Sequence, residues 1–182
     1  MPGMLSNGDL HINSDRCSLN QKKTDRLIYK TIMETIFYTV IRHLHSIVRW
    51  LLLTGLLSSV ILAISGLSGK KGLGNTGRLF ARFTMYFAHL QLVVGIVLFL
   101  ISPRVIFSSD SMRSPILRFF LVEHTSAMIL AIILITLGYI RMKKVTDEVR
   151  STRTLLWYYL FSLVIILTLI PWPFTRYAGH FL

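Results

Sequence analysis

Three histidines, His45, His89 and His124, fall in or beside stretches made almost entirely of apolar residues. An ionisable side chain at membrane depth is costly, and a chain that keeps several of one type there is usually using them. Imidazole ligates haem iron and many transition metals through a neutral ring nitrogen, which brings no charge into hydrocarbon. Arg42 and Arg49 recur with His45 at helical spacing and share its face. Near the water boundary their guanidinium groups suit the carboxylates of a flat apolar macrocycle. The chemistry this set offers is bis-histidine ligation of a haem, His124 being joined by either His45 or His89.

The elements that must hold these side chains are membrane helices. The chain has 182 residues, 53 % of them hydrophobic, and a mean hydropathy of +0.59, too apolar for an ordinary soluble domain. Stretches 50–69, 83–102, 119–140 and 154–175 lack Lys and Arg, and each is long enough to cross about 30 Å of hydrocarbon, which takes roughly 20 helical residues. The net charge of +12 comes from residues lying almost entirely between and before these runs. They read as headgroup and topology signals, with no aromatic-interleaved basic motif for nucleic acid. The single cysteine, Cys17, lies in the polar tail, which excludes a disulfide framework, a Cys-ligated iron–sulfur cluster and covalently attached haem.

Residues 1–32 are polar, with no periodic apolar face, and are expected to be a disordered tail, an upstream start or dispensable extension before Met33. They do not form a signal peptide, whose apolar core would follow directly on a short basic start. Residues 33–182 are expected to form the membrane domain, with helices over about 40–67, 78–102, 115–141 and 153–171. Asn75 or Thr76 is a candidate cap for the second helix. Ser114 and Pro115 open the third, and the prolines of Ile170-Pro171-Trp172-Pro173-Phe174 stop the fourth. Short connections make successive helices antiparallel, giving an all-α, integral membrane, up-down four-helix bundle. Lys70, Lys71, Arg78, Arg82, Arg141, Lys143, Lys144, Arg150 and Arg153 gather on one side, against Arg42, Arg49, Arg104, Arg113, Arg118 and Arg176 on the other. That bias favours both termini on the periplasmic side, although Lys22, Lys23, Arg26 and Lys30 of the tail bring the two sides near balance.

Folding the chain at its loop centres puts His45 roughly 7 Å, His124 about 14 Å and His89 about 20 Å below the terminus-bearing face. Height alone leaves the partner of His124 open. Side-chain lean modestly favours His45, because its helix runs parallel to that of His124. Leu121, Met128, Ala131, Ile135 and Gly138 continue the His124 face, and Leu52, Leu56 and Ser59 that of His45. These could wall a macrocycle, but small and soft residues on membrane helices are more often close-packing residues. Arg42, Arg49 and Arg118 have an equal claim as snorkelling anchors. Glu123, the sole acid in the four apolar runs, either relays protons or pairs with Arg118 or Arg42. His43 points to another face.

Four segments carry a family resemblance: His-Leu-His-Ser-Ile-Val-Arg-Trp at 43–50, Ala-His-Leu-Gln-Leu-Val-Val-Gly at 88–95, Arg-Phe-Phe-Leu-Val-Glu-His at 118–124 and Ile-Pro-Trp-Pro-Phe at 170–174. Over residues 33–174 the chain resembles a family of small four-helix membrane proteins of Bacteroidetes-type bacteria labelled cytochrome B. The Gly-Asn-Thr-Gly loop before Arg78 departs from that family's pattern. The resemblance implies a multi-pass b-haem protein of the bacterial inner membrane, with His45, His89 and His124 as its motif histidines.

The function expected is electron transfer through a bis-histidine haem b, with quinone or other redox membrane proteins as candidate partners, the lipid bilayer as solvent and no nucleic acid. No substrate pocket is legible, so a carrier is expected over a stand-alone enzyme. The alternative is a haem-free accessory subunit of a larger complex, its histidines bonding between helices. Metal handling is weaker still, because close-spaced Cys or Met clusters are missing from the sequence.

Overall fold

The computed structural model describes residues 7–102, 105 and 112–172, with side chains from residue 21 onward. Helices α1 (Asn7–Ser68), α2 (Gly74–Ile101), α3 (Pro115–Arg118), α4 (His124–Lys144) and α5 (Glu148–Leu169) follow in order, with a π-helical turn at Phe119–Glu123 joining α3 to α4. Among the described residues, four continuous helical spans are long and apolar enough to cross a membrane: Gln21–Ser68, Gly74–Ile101, Pro115–Lys144 and Glu148–Leu169. The protein is an all-α, multi-pass membrane protein built as a four-helix bundle.

Contacts divide the chain after Val40. In the first unit the backbone is helical from Asn7, well before the expected start near residue 40. The physical reason is the absence of any Gly or Pro from Asp9 to Thr54, so no residue denies a helical donor or favours a left-handed turn. Thr31 and Thr35 return their hydroxyls to the carbonyls four residues earlier, and Leu27, Ile28, Ile32, Met33, Ile36 and Phe37 stand exposed.

The second unit, Ile41–Leu182, holds the bundle. Its core is a column of close-packed apolar side chains, with Leu56, Ala63, Ala81, Ala88, Ala131, Ile135, Leu155 and Tyr159 fully enclosed. Small residues let the helices approach, as expected where lipid removes the hydrophobic drive between spans. A Cβ on Gly55 would stand 3.0 Å from the Thr84 hydroxyl. Buried polar groups are paired across helices: Ser59 with Thr84 (3.2 Å), the Tyr159 hydroxyl with the Ala81 carbonyl (2.9 Å) and Ser162 with the Ala131 carbonyl (3.2 Å). The residues expected to wall a macrocycle, Leu52, Leu56, Ser59, Ala131, Ile135 and Gly138, belong to this packed core.

The helix ends correct the expected boundaries by a few residues. Helix α2 starts at Gly74, and neither Asn75 nor Thr76 caps it: the residue before the helix is Leu73, with no side-chain bond. The turn ahead of it is set by backbone, the Lys71 N–H reaching the Gly66 carbonyl at 3.1 Å, with Lys70, Gly72 and Gly74 at positive φ. Helix α5 starts at Glu148 because Asp147 caps it, its carboxylate accepting from the Arg150 N–H at 2.8 Å. Ser114 and Pro115 open α3 as expected, Ser114 extended and without a side-chain cap bond. Helix α5 ends at Leu169, before Pro171; Pro173, Phe174, Arg104 and Arg176 lie outside the described residues.

Candidate functional site

The polar groups that the core does not absorb gather at the end of the bundle away from the 70–73 and 145–147 turns. Ten residues separate Ala81 from Gln91 on α2 and Tyr159 from Leu169 on α5, about 15 Å along each helix from their mutual contact. Gln91 bonds His45, and the Leu169 carbonyl bonds His124. His45 and His124 therefore lie at one level, where the loop-centre count separates them by about 7 Å. Arg49 lies one turn along α1 from His45.

His124 is positioned by an irregularity in its own helix. The π-helical turn Phe119–Glu123 ends at it, and the Thr125 hydroxyl bonds the Phe120 carbonyl five residues back. Such wide turns are rare and recur at functional sites. Nδ1 of His124 lies 2.8 Å from the Leu169 carbonyl. A carbonyl only accepts, so Nδ1 carries the proton and Nε2 keeps its lone pair. Phe119 and Phe120 pack beside the ring at centroid distances of 5.9 and 6.3 Å.

His45 is held differently. The Gln91 side-chain nitrogen lies 3.0 Å from His45 Nε2 and 3.1 Å from its backbone carbonyl. The carbonyl contact fixes which end of the amide is the donor, so Nε2 accepts and the His45 proton sits on Nδ1. Nδ1 faces Gly95, where a Cβ would stand 3.8 Å away. Among the described residues, three enclosed polar atoms have no hydrogen-bond partner: His45 Nδ1, Arg49 Nε and Gln91 Oε1. Leaving a buried polar atom unpaired costs about 1–3 kcal/mol. The rest of the Arg49 guanidinium is occupied, donating to the Ser46 hydroxyl at 3.1 Å and lying 5.6 Å from the Trp50 ring.

His89 stands apart. It is exposed, and its Nδ1 bonds the Met85 carbonyl of its own helix at 2.8 Å. It lies two residues from Gln91, roughly 200° around α2, so the helix that turns Gln91 inward turns His89 outward. His43 is exposed as well. Arg42 is half-buried one turn before His45. Glu123 pairs with Arg118 at 2.9 Å, one of the two partners expected for it. No group of three or more His, Cys, Asp or Glu side chains comes together among the described residues.

Gln91 is the member that the sequence reading passed over. The available signal was a lone amide in an apolar run, on the face opposite His89. Comparisons with protein-family models, curated proteins and solved structures return no match for this chain.

Proposed function

We propose that the protein is a haem b electron-transfer protein of a bacterial inner membrane, with His124 as an axial ligand. The observation that carries this reading is the Nδ1–H bond from His124 to the Leu169 carbonyl, which aligns the ring and leaves Nε2 available. Metal-ligating histidines are commonly prepared in this way, the outer hydrogen bond fixing the tautomer and raising ligand basicity. The π-helical turn ahead of His124 and the shared level of His45 support the same reading.

The two histidines fit a haem unequally. His124 offers a lone pair; the Nε2 of His45 is engaged by Gln91, so His45 would serve as second ligand only with that amide turned away. His89 would ligate only from the outer face of the bundle. A bound haem would supply one-electron chemistry, while the protein sets its ligand, burial and neighbouring charge. Arg42 and Arg49 are the cations placed for its carboxylates, and quinone or another redox protein would be the exchange partner. The gathering of basic residues around the 70–73 and 145–147 turns supports placing that end in the cytoplasm and both termini in the periplasm.

The second reading is a haem-free accessory subunit. It is favoured by the Gln91–His45 bonds, which tie α1 to α2 as a structural histidine would. Absorbance decides between them. Detergent-purified protein from haem-replete cells should show a b-type Soret and α band, with about one haem per chain by pyridine haemochrome. Colourless protein overturns the haem reading and leaves the accessory subunit.

A further inference from the structure

The geometry points to an oxyanion receptor formed by His45, Arg49 and Gln91, which takes the negatively charged oxygen group of a membrane amphiphile. Two of its three unpartnered atoms are N–H donors, His45 Nδ1 by virtue of the Gln91 bond and Arg49 Nε by its chemistry. Donors one helical turn apart, one of them on a guanidinium, suit a phosphate or carboxylate oxygen. The third, Gln91 Oε1, accepts, and matches a hydroxyl carried next to that oxyanion.

Depth agrees with this occupant. His45 lies 23 residues from the end of α1 at Ser68, about 34 Å of helix. Gln91 lies 17 residues from the start of α2 at Gly74, about 26 Å. With the basic turn at one face of about 30 Å of hydrocarbon, the cluster falls just inside the other face, within reach of lipid phosphates. The nearest acid described on α3 and the π turn, Glu123, is already paired with Arg118 and offers no competing charge. Gly95 leaves the flank of the His45 ring without a side chain.

A phospholipid phosphate and a haem carboxylate share this chemistry, and only the second source rests on the haem reading. The hydroxylated headgroup of phosphatidylglycerol would satisfy all three atoms. The test uses the full chain in mild detergent, titrated by native mass spectrometry with phosphatidylglycerol, phosphatidylcholine and inorganic phosphate. A parallel absorbance titration compares haem with haem dimethyl ester. Arg49→Met removes the guanidinium and with it the Nε–H, and Arg153→Gln, at the opposite end of the bundle, is the control. If Arg49→Met does not fold, Arg49→Lys keeps the charge and still removes the Nε–H.

With a lipid source, wild type prefers phosphatidylglycerol over phosphatidylcholine by about 5-fold or more. The Arg49 variant loses that preference and Arg153→Gln keeps it. Inorganic phosphate competing for the same binding identifies the phosphate itself as the recognised group. With a cofactor source, wild type takes up haem in preference to its dimethyl ester, and the Arg49 variant no longer distinguishes them. Wild type showing neither preference, or an Arg49 variant matching wild type in both titrations, overturns the receptor. Colourless protein with an intact lipid preference overturns only the haem reading.

Discussion

Gln91 gives both hydrogens of its side-chain amide to His45, one to Nε2 at 3.0 Å and one to the backbone carbonyl at 3.1 Å. This bond pair sets the His45 tautomer and divides the work between the two histidines of the site. In the same arrangement His124, whose Nδ1 is fixed by Leu169, is the ring with a lone pair to offer.

Tautomers are therefore the first thing to measure. In 15N-histidine spectra of the haem-free protein in micelles, both His45 and His124 should report the neutral form protonated at Nδ1. Gln91→Leu should release the His45 constraint and leave the His124 signal in place. A His45 ring protonated at Nε2 in wild type contradicts the amide orientation.

His124→Ala should abolish the Soret band, because it removes the one ring whose lone pair is prepared. His89→Ala should leave the band unchanged, since that ring stands exposed and bonded to its own helix. Equal loss in both variants would refute the placement of the ligand.

The Tyr159 hydroxyl closes the contact between α5 and α2 at the fully enclosed centre of the core. Tyr159→Phe should lower stability by about 1 kcal/mol, since it removes a buried interhelical hydrogen bond while the Ala81 carbonyl keeps the bond within its own helix. Unfolding in mixed micelles reads this directly, and no change would argue against the bond.

A Cβ on Gly66 would collide with the Gly72 carbonyl, a backbone atom with little freedom to give way. Gly66→Ala should cost about 1–3 kcal/mol by overpacking the turn between α1 and α2. The pair between Arg78 and Glu148 at that same end is exposed. Arg78→Ala should cost less than about 1 kcal/mol. A reversed order in thermal unfolding would show that the ion pair, and not the turn, holds this end together.

Some of this molecule was written in its order of residues. Runs of about 20 apolar residues bounded by charge dictate spanning helices, because backbone polar groups in hydrocarbon must be satisfied within the helix. Ser114-Pro115 announced a helix start for the same local reason. The Asp147 cap was equally local and was readable from Asp147-Glu148 ahead of an apolar run, although the expected start fell later. Helix α1 extends far beyond its apolar stretch because propensity, and not burial, continues it.

The site was legible only in its residue types. The sequence favours His124 as one ligand and His45 only modestly over His89 as its partner, since each is an imidazole in an apolar setting and side-chain lean alone tells them apart. Their separation depended on rotation and register between helices, which side-chain packing fixes to within a fraction of a turn. A roughly 200° rotation sends His89 outward and Gln91 inward, and contact register brings His45 level with His124. Sequence supplied spans, charge bias and candidate ligands, all set by hydration and local backbone chemistry. Tertiary packing alone chose which imidazole keeps a lone pair and which buried donors are left open.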